Sequence, residues 1–173
     1  MRLSNKIGAI AFAASLFVQT SRAETVYYAV SQGSDLGKQV WHAGELKTFN
    51  ANRPQNVFDL YTVQRLNDGR SKVLRELSTP SGDWFLTLSY FFGKDGRLAK
   101  IQFDFRTFNG VCSCGETGPV RCQRWYDVDR AGRVRESSER ITRLGTEDVV
   151  DWTFHEPKVR HWAKLSDLPI KPR

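Results

Sequence analysis

The stretch from Trp84 to Cys122, WFLTLSYFFGKDGRLAKIQFDFRTFNGVCSCGETGPVRC, limits the possible folds more than any other part of the chain. Paired about Gly93-Lys94-Asp95-Gly96 with Phe92 opposite Arg97, it sets Trp84, Leu86, Leu88 and Tyr90 beside Phe105, Phe103, Ile101 and Ala99. Thr87 and Ser89 then fall on the other face with Gln102, Lys100 and Asp104. Strand side chains alternate with period two, so a one-residue slip would mix the two sets. The segment is expected to form a β-hairpin with one buried face.

Two further hairpins follow the same logic. VFDLYTVQRL and RSKVLREL flank Asn67-Asp68-Gly69, with Val63 opposite Val73 and Tyr61 opposite Arg75. Glycine reaches positive φ without a steric penalty, which suits it to such turns. RWYDVDRAGRVRESSERI turns between Asp129 and Gly132, and its second strand is polar enough for a sheet edge. Gly69-Arg70, Gly96-Arg97 and Gly132-Arg133 echo one another at unequal spacings, as a meander of hairpins would.

ETVYYAVS, from Glu24, reads as a strand and DVVDWTF as a last one, from Asp148 to Phe154. Between Leu36 and Phe49, Leu36, Val40, Ala43 and Leu46 would line a helix face, while Gly37 and Gly44 oppose a helix. A short helix or an irregular strand is expected there. The fold class is therefore mainly β: an antiparallel meander of about seven or eight strands in one open or curved sheet, with one short helix near the N-terminus.

Residues 1–23 resemble a cleavable secretory signal in pattern: Arg2 and Lys6, an apolar run from Ile7 to Val18, then Ser21-Arg22-Ala23. The run is too short to span a membrane comfortably, and there is no other long apolar run. The expected organisation is a signal (1–23), a β-rich domain (24–154) and an irregular, basic, proline-containing arm (155–173). The expected location is periplasmic or secreted. Removing Arg2, Lys6 and Arg22 lowers the formal charge from +7 to +4, so charge alone demands no acidic partner.

Cys112, Cys114 and Cys122 are the three cysteines, an odd count for an exported chain. They lie in a glycine-rich segment read as a flexible connector with a turn at Gly118-Pro119. Spacing does not fix connectivity. Cys112–Cys122 is the expected bridge and Cys112–Cys114 the least expected, because its ring is so tight. Cys114 is then free, or joins two copies of the chain as a disulfide-linked homodimer. C-x-C-x7-C matches no standard zinc spacing, and the segment lacks C-x-x-C and C-x-x-C-H. No metal or other cofactor is expected, although thiol redox chemistry or a soft metal ion at these cysteines is the alternative reading.

His42, His155 and His161 form no H-E-x-x-H, and G-x-S-x-G, the P-loop and the dinucleotide fingerprint are absent. Arg121, Arg124, Arg133 and Arg135 outline a face for an anionic ligand, but Asp127, Asp129, Glu136 and Glu139 offset seven arginines between Arg121 and Arg143. Nucleic acid is not expected; anionic lipid or polysaccharide of the cell envelope is favoured. Trp84 is assigned to the core, whereas Trp41, Trp125, Trp152 and Trp162 are left unplaced. The expected function is a non-catalytic binding or interaction module for a protein or envelope component.

Overall fold

The computed structural model describes residues 25–31, 39–146, 148–158 and 161–170. The proposed signal peptide lies outside them. Nine strands form one antiparallel sheet: β1 (Thr25–Ser31), β2 (Gln39–Glu45), β3 (Val57–Arg65), β4 (Ser71–Ser78), β5 (Trp84–Phe92), β6 (Leu98–Cys112), β7 (Thr117–Val128), β8 (Val134–Arg143) and β9 (Trp152–Thr153). Their order is β2-β1-β3-β4-β5-β6-β7-β8, and β9 pairs with the end of β6 at Val111 and Cys112. Helix α1 (Leu46–Ala51) follows β2 directly. The ambiguous segment thus divides: Trp41 and Ala43 pair in a strand, and the helix begins only at Leu46.

The organising hairpin has the expected faces but not the expected register. Leu86 faces Phe105, Leu88 faces Phe103 and Tyr90 faces Ile101, two positions from the symmetric pairing. Gly96 at φ +74° tightens the turn, giving one step, and a bulge between Phe91 and Phe92 gives the other. An even shift keeps every apolar side chain on its face. The β3–β4 pairs Val63–Val73 and Tyr61–Arg75 form as read from the sequence.

One turn recurs. Leu66–Arg70, Gly93–Arg97 and Asp129–Arg133 each close with the first N–H donating to the fifth carbonyl and the fourth N–H donating back to the first carbonyl. The fourth residue is always a positive-φ glycine. The Gly-Arg echo is therefore a repeated turn in a meander. The cysteine segment uses the same turn: Cys112 N–H donates to the Glu116 carbonyl, and Gly115 N–H to that of Cys112. It is not a flexible connector, and Gly118-Pro119 lies inside β7.

One sheet face carries the main core, including Tyr27, Tyr61, Val73, Leu88, Tyr90, Phe105 and Cys122. The C-terminal arm covers it. Phe154 stacks on Phe105, Trp162 meets Tyr61 and Tyr90 edge-on, and Leu168 and Ile170 are buried. Leu98 N–H donates to the Ala163 carbonyl, and Leu165 N–H to that of Gly96. Among the described residues of the arm only Leu165–Asp167 is helical, a single 3-10 turn. On the opposite face, α1 sets Phe49 against Val26, Val57 and Leu60, and among the described residues no helix lies over that face of β4–β8. The last strand is shorter than read: only Trp152 and Thr153 belong to β9, and Val149 makes an isolated bridge to Thr142.

Candidate functional site

The four arginines read as one face do not share one. Residues three apart in a strand point to opposite faces, so Arg121 and Arg124 separate. Arg124 lies on the core face and binds Glu139 and, in the arm, Glu156 at 2.6 Å; its guanidinium also lies over Phe103. Burial disfavours its charge, but these carboxylates outweigh it and hold its pKa above the ordinary arginine value. Arg133 is tied to Asp129 within its turn, and Arg135 pairs across the ladder with Asp127 at the edge. Only Arg121 remains on the open face of the sheet's middle.

There it joins residues that the sequence did not single out. Arg121 Nε donates to Asp104 Oδ1 at 3.0 Å and Nη2 to Oδ2 at 2.5 Å. Arg106 reaches the same carboxylate at 3.4 Å. Burial pushes the Asp104 pKa up, but the Arg121 and then Arg106 hydrogen bonds prevail and hold it below the ordinary carboxylate value. Arg106, Arg121, Gln123, Thr142 and Arg143, with the turn Leu144–Thr146, line an open cavity of about 550 Å³. Among the described residues that line it there is no carboxylate. Beside it, Gln102 and the half-buried Trp125 form a ladder pair. The even spacing of Asp104 and Arg106 was a signal available in the sequence; that β6 sets Arg106 opposite Arg121 was not.

The tryptophans fall into place. Trp162 lies in the main core, with Trp41 and Trp84 packed against it. Trp152 packs on Cys112 and Val120. Trp125 is left on the open face.

The expected Cys112–Cys122 bridge is corrected: Cys112 is joined to Cys114, and Cys122 is the free thiol. The tight turn explains this, since it sets Cys112 and Cys114 at its first and third positions. Cys122 lies one strand away, opposite Phe105 and Ile141. It is fully buried, and that burial pushes its thiol up to about 12. Cys114 is exposed but bonded, so it is not the leftover thiol for a bridge between copies. Cys112, Cys114 and Glu116 offer ligand atoms within 4.8 Å of one another. With the sulfurs joined, this set lacks the thiolates that a soft metal requires.

The histidines are not gathered into a site. His42, on β2, stacks on Tyr28, whereas His161 lies against Tyr126 of β7, far along the strand order. A buried polar cluster was missed from sequence. Asp59 binds Arg75 through two hydrogen bonds of 2.9 and 2.7 Å, and the guanidinium lies over the rings of Tyr61 and Trp162. Burial raises the phenol pKa of both Tyr61 and Tyr90. The arm covers this cluster, and none of the described cavities opens onto it.

No family model matches the chain, and neither does any curated protein or solved structure compared with it. The class is set by architecture alone: an open antiparallel meander whose C-terminal arm covers one face.

Proposed function

We propose that this protein is an exported, non-catalytic binding module, and that its open sheet face takes up an acidic glycan of the cell envelope. The observation that carries the reading is the open cavity at Arg106 and Arg121, where two guanidinium groups share one carboxylate, that of Asp104. Planar guanidinium groups match carboxylates in a two-pronged geometry that a lysine ammonium cannot reproduce. Gln102, Gln123 and Thr142 offer amide and hydroxyl partners for sugar hydroxyls, and Trp125 offers an apolar surface for a ring face. The signal-like N-terminal segment supports an envelope location.

The test is calorimetric titration of the mature chain with oligogalacturonate, using neutral dextran oligomers as the comparison. Oligogalacturonate is expected to bind, to weaken as salt rises, and to lose about tenfold in affinity on Arg106→Ala, a loss of about 1.4 kcal/mol. Equal binding of the neutral oligomers, or binding untouched by Arg106→Ala together with Arg121→Ala, would refute the proposal.

A further inference from the structure

The Cys112–Cys114 bond is a poor structural staple. In the chain-entropy model a disulfide's stabilisation grows with the logarithm of the loop it closes, and this one encloses Ser113 alone, inside a turn that β6 and β7 already hold. Its surroundings suit another use. Cys112 Sγ accepts the backbone N–H groups of Cys114 and Glu116, each at 3.2 Å. The sister turn provides an internal comparison. Asp129 occupies the same first position, and its Oδ1 accepts the N–H groups of Ala131 and Arg133 at 2.9 and 3.0 Å. There the backbone hydrogen bond from Arg133 is the leading cause of a lowered carboxylate pKa. The first position of this turn therefore favours an anion.

We propose that Cys112–Cys114 is an exchange-active disulfide that dithiols open at Cys114, with Cys112 as the leaving thiolate. Cys114 is exposed to attack and Cys112 is only 9 % exposed. An incoming thiolate bonds to Cys114 Sγ, the bond between the two cysteines breaks, and its electron pair leaves on Cys112 Sγ. The second thiolate of the same dithiol then attacks the sulfur bound to Cys114. The dithiol departs as a cyclic disulfide and Cys114 takes up a proton. Two electrons pass from the dithiol to the protein; of the two protons the dithiol loses, one ends on Cys114 and the other in water. A better-stabilised leaving thiolate departs faster, and the two N–H donors supply that stabilisation. The Glu116 carboxylate and the apolar contacts of Val120 and Trp152 oppose it.

The mature, folded protein is treated with dithiothreitol, and its thiols are counted by alkylation and mass. Separately, it is treated with glutathione and quenched in acid, and the mixed disulfide is mapped. The bond is expected to open in the folded state about tenfold faster than in a linear peptide containing Cys-Ser-Cys-Gly-Glu, with Cys122 unmodified. Glutathione is expected on Cys114, and Cys112→Ser treated with oxidised glutathione, which gives up one glutathione thiolate as Cys114 is joined to the other, is expected to retain that adduct because no Cys112 thiolate displaces it. Opening no faster than in the peptide, glutathione on Cys112, or opening only after denaturation would each overturn the proposal.

Discussion

Arg75 carries its charge under the arm, its side chain 16 % exposed beside an Asp59 side chain at 9 %. Burial works against its charge, yet the hydrogen bonds it donates to Asp59 prevail and raise its pKa above the ordinary arginine value. A pair of this kind adds little net stability over a well-packed apolar pair, but losing one partner leaves the other charged in a dry site. Asp59→Asn is therefore expected to destabilise the fold by about 3–5 kcal/mol, measured by urea unfolding at neutral pH. Asp59→Leu combined with Arg75→Met is expected to recover most of that loss. If the double variant is as unstable as the single, the cost lies in packing rather than in the orphaned charge. Nothing in the sequence marked Arg75 for burial: Val73, Arg75 and Leu77 alternate onto one face, but only the arm closes that face over them.

At the scale of elements, the five-residue turn organises the chain. Four hairpins share its bonding, and in each the fourth residue is a glycine at positive φ, where a side chain costs about 1–2 kcal/mol. Gly96 has open space where a Cβ would go, so the loss on Gly96→Ala would be conformational alone. Its expected destabilisation is about 1–2 kcal/mol in denaturant midpoint experiments. Gly110→Ala fails for a different reason: a Cβ there would lie 2.7 Å from a Val120 methyl, and that strand contact must shift. Equal tolerance of Ala at Gly96 and at Gly44, which has neither positive φ nor a near neighbour, would refute the turn argument. The face of each strand was legible because alternation survives an even shift. Bulges were not legible, since one extra residue at Phe91–Phe92 or between Thr107 and Gly110 leaves no mark in composition. The same blindness led to the wrong cysteine bridge. Gly115 was read as loosening a connector, when its positive φ closes a turn around Cys112 and Cys114.

For the molecule as a whole, one sheet cannot bury two faces by itself, and this chain solves the problem unequally. Helix α1 covers a small apolar patch at the β1–β3 end, while Phe154, Trp162, Leu165, Leu168 and Ile170 serve as the second layer for the larger core. The arm lacked any periodic pattern because it contacts the sheet at scattered points, Phe154, Glu156, Trp162, Leu168 and Ile170, rather than along a helix face. Trp162 is the central contact, touching Tyr61, Tyr90 and Arg75 at once. Trp162→Ala is accordingly expected to cost about 3–5 kcal/mol, with unfolding still cooperative. Deletion of residues 157–173 removes Trp162, Leu168 and Ile170 together and opens Tyr61, Tyr90 and Leu98 to water. Such a chain is expected to bind a hydrophobic dye and to lose near-ultraviolet circular dichroism while keeping its far-ultraviolet strand signal, as expanded states do when packing fails but hydrogen-bonded backbone persists. The measurement is decisive in either direction. If the truncated chain melts at the same temperature as the full one and binds no dye, the sheet is stable alone and the arm is an appendage. If dye binding rises and cooperativity falls, the arm is half of the core.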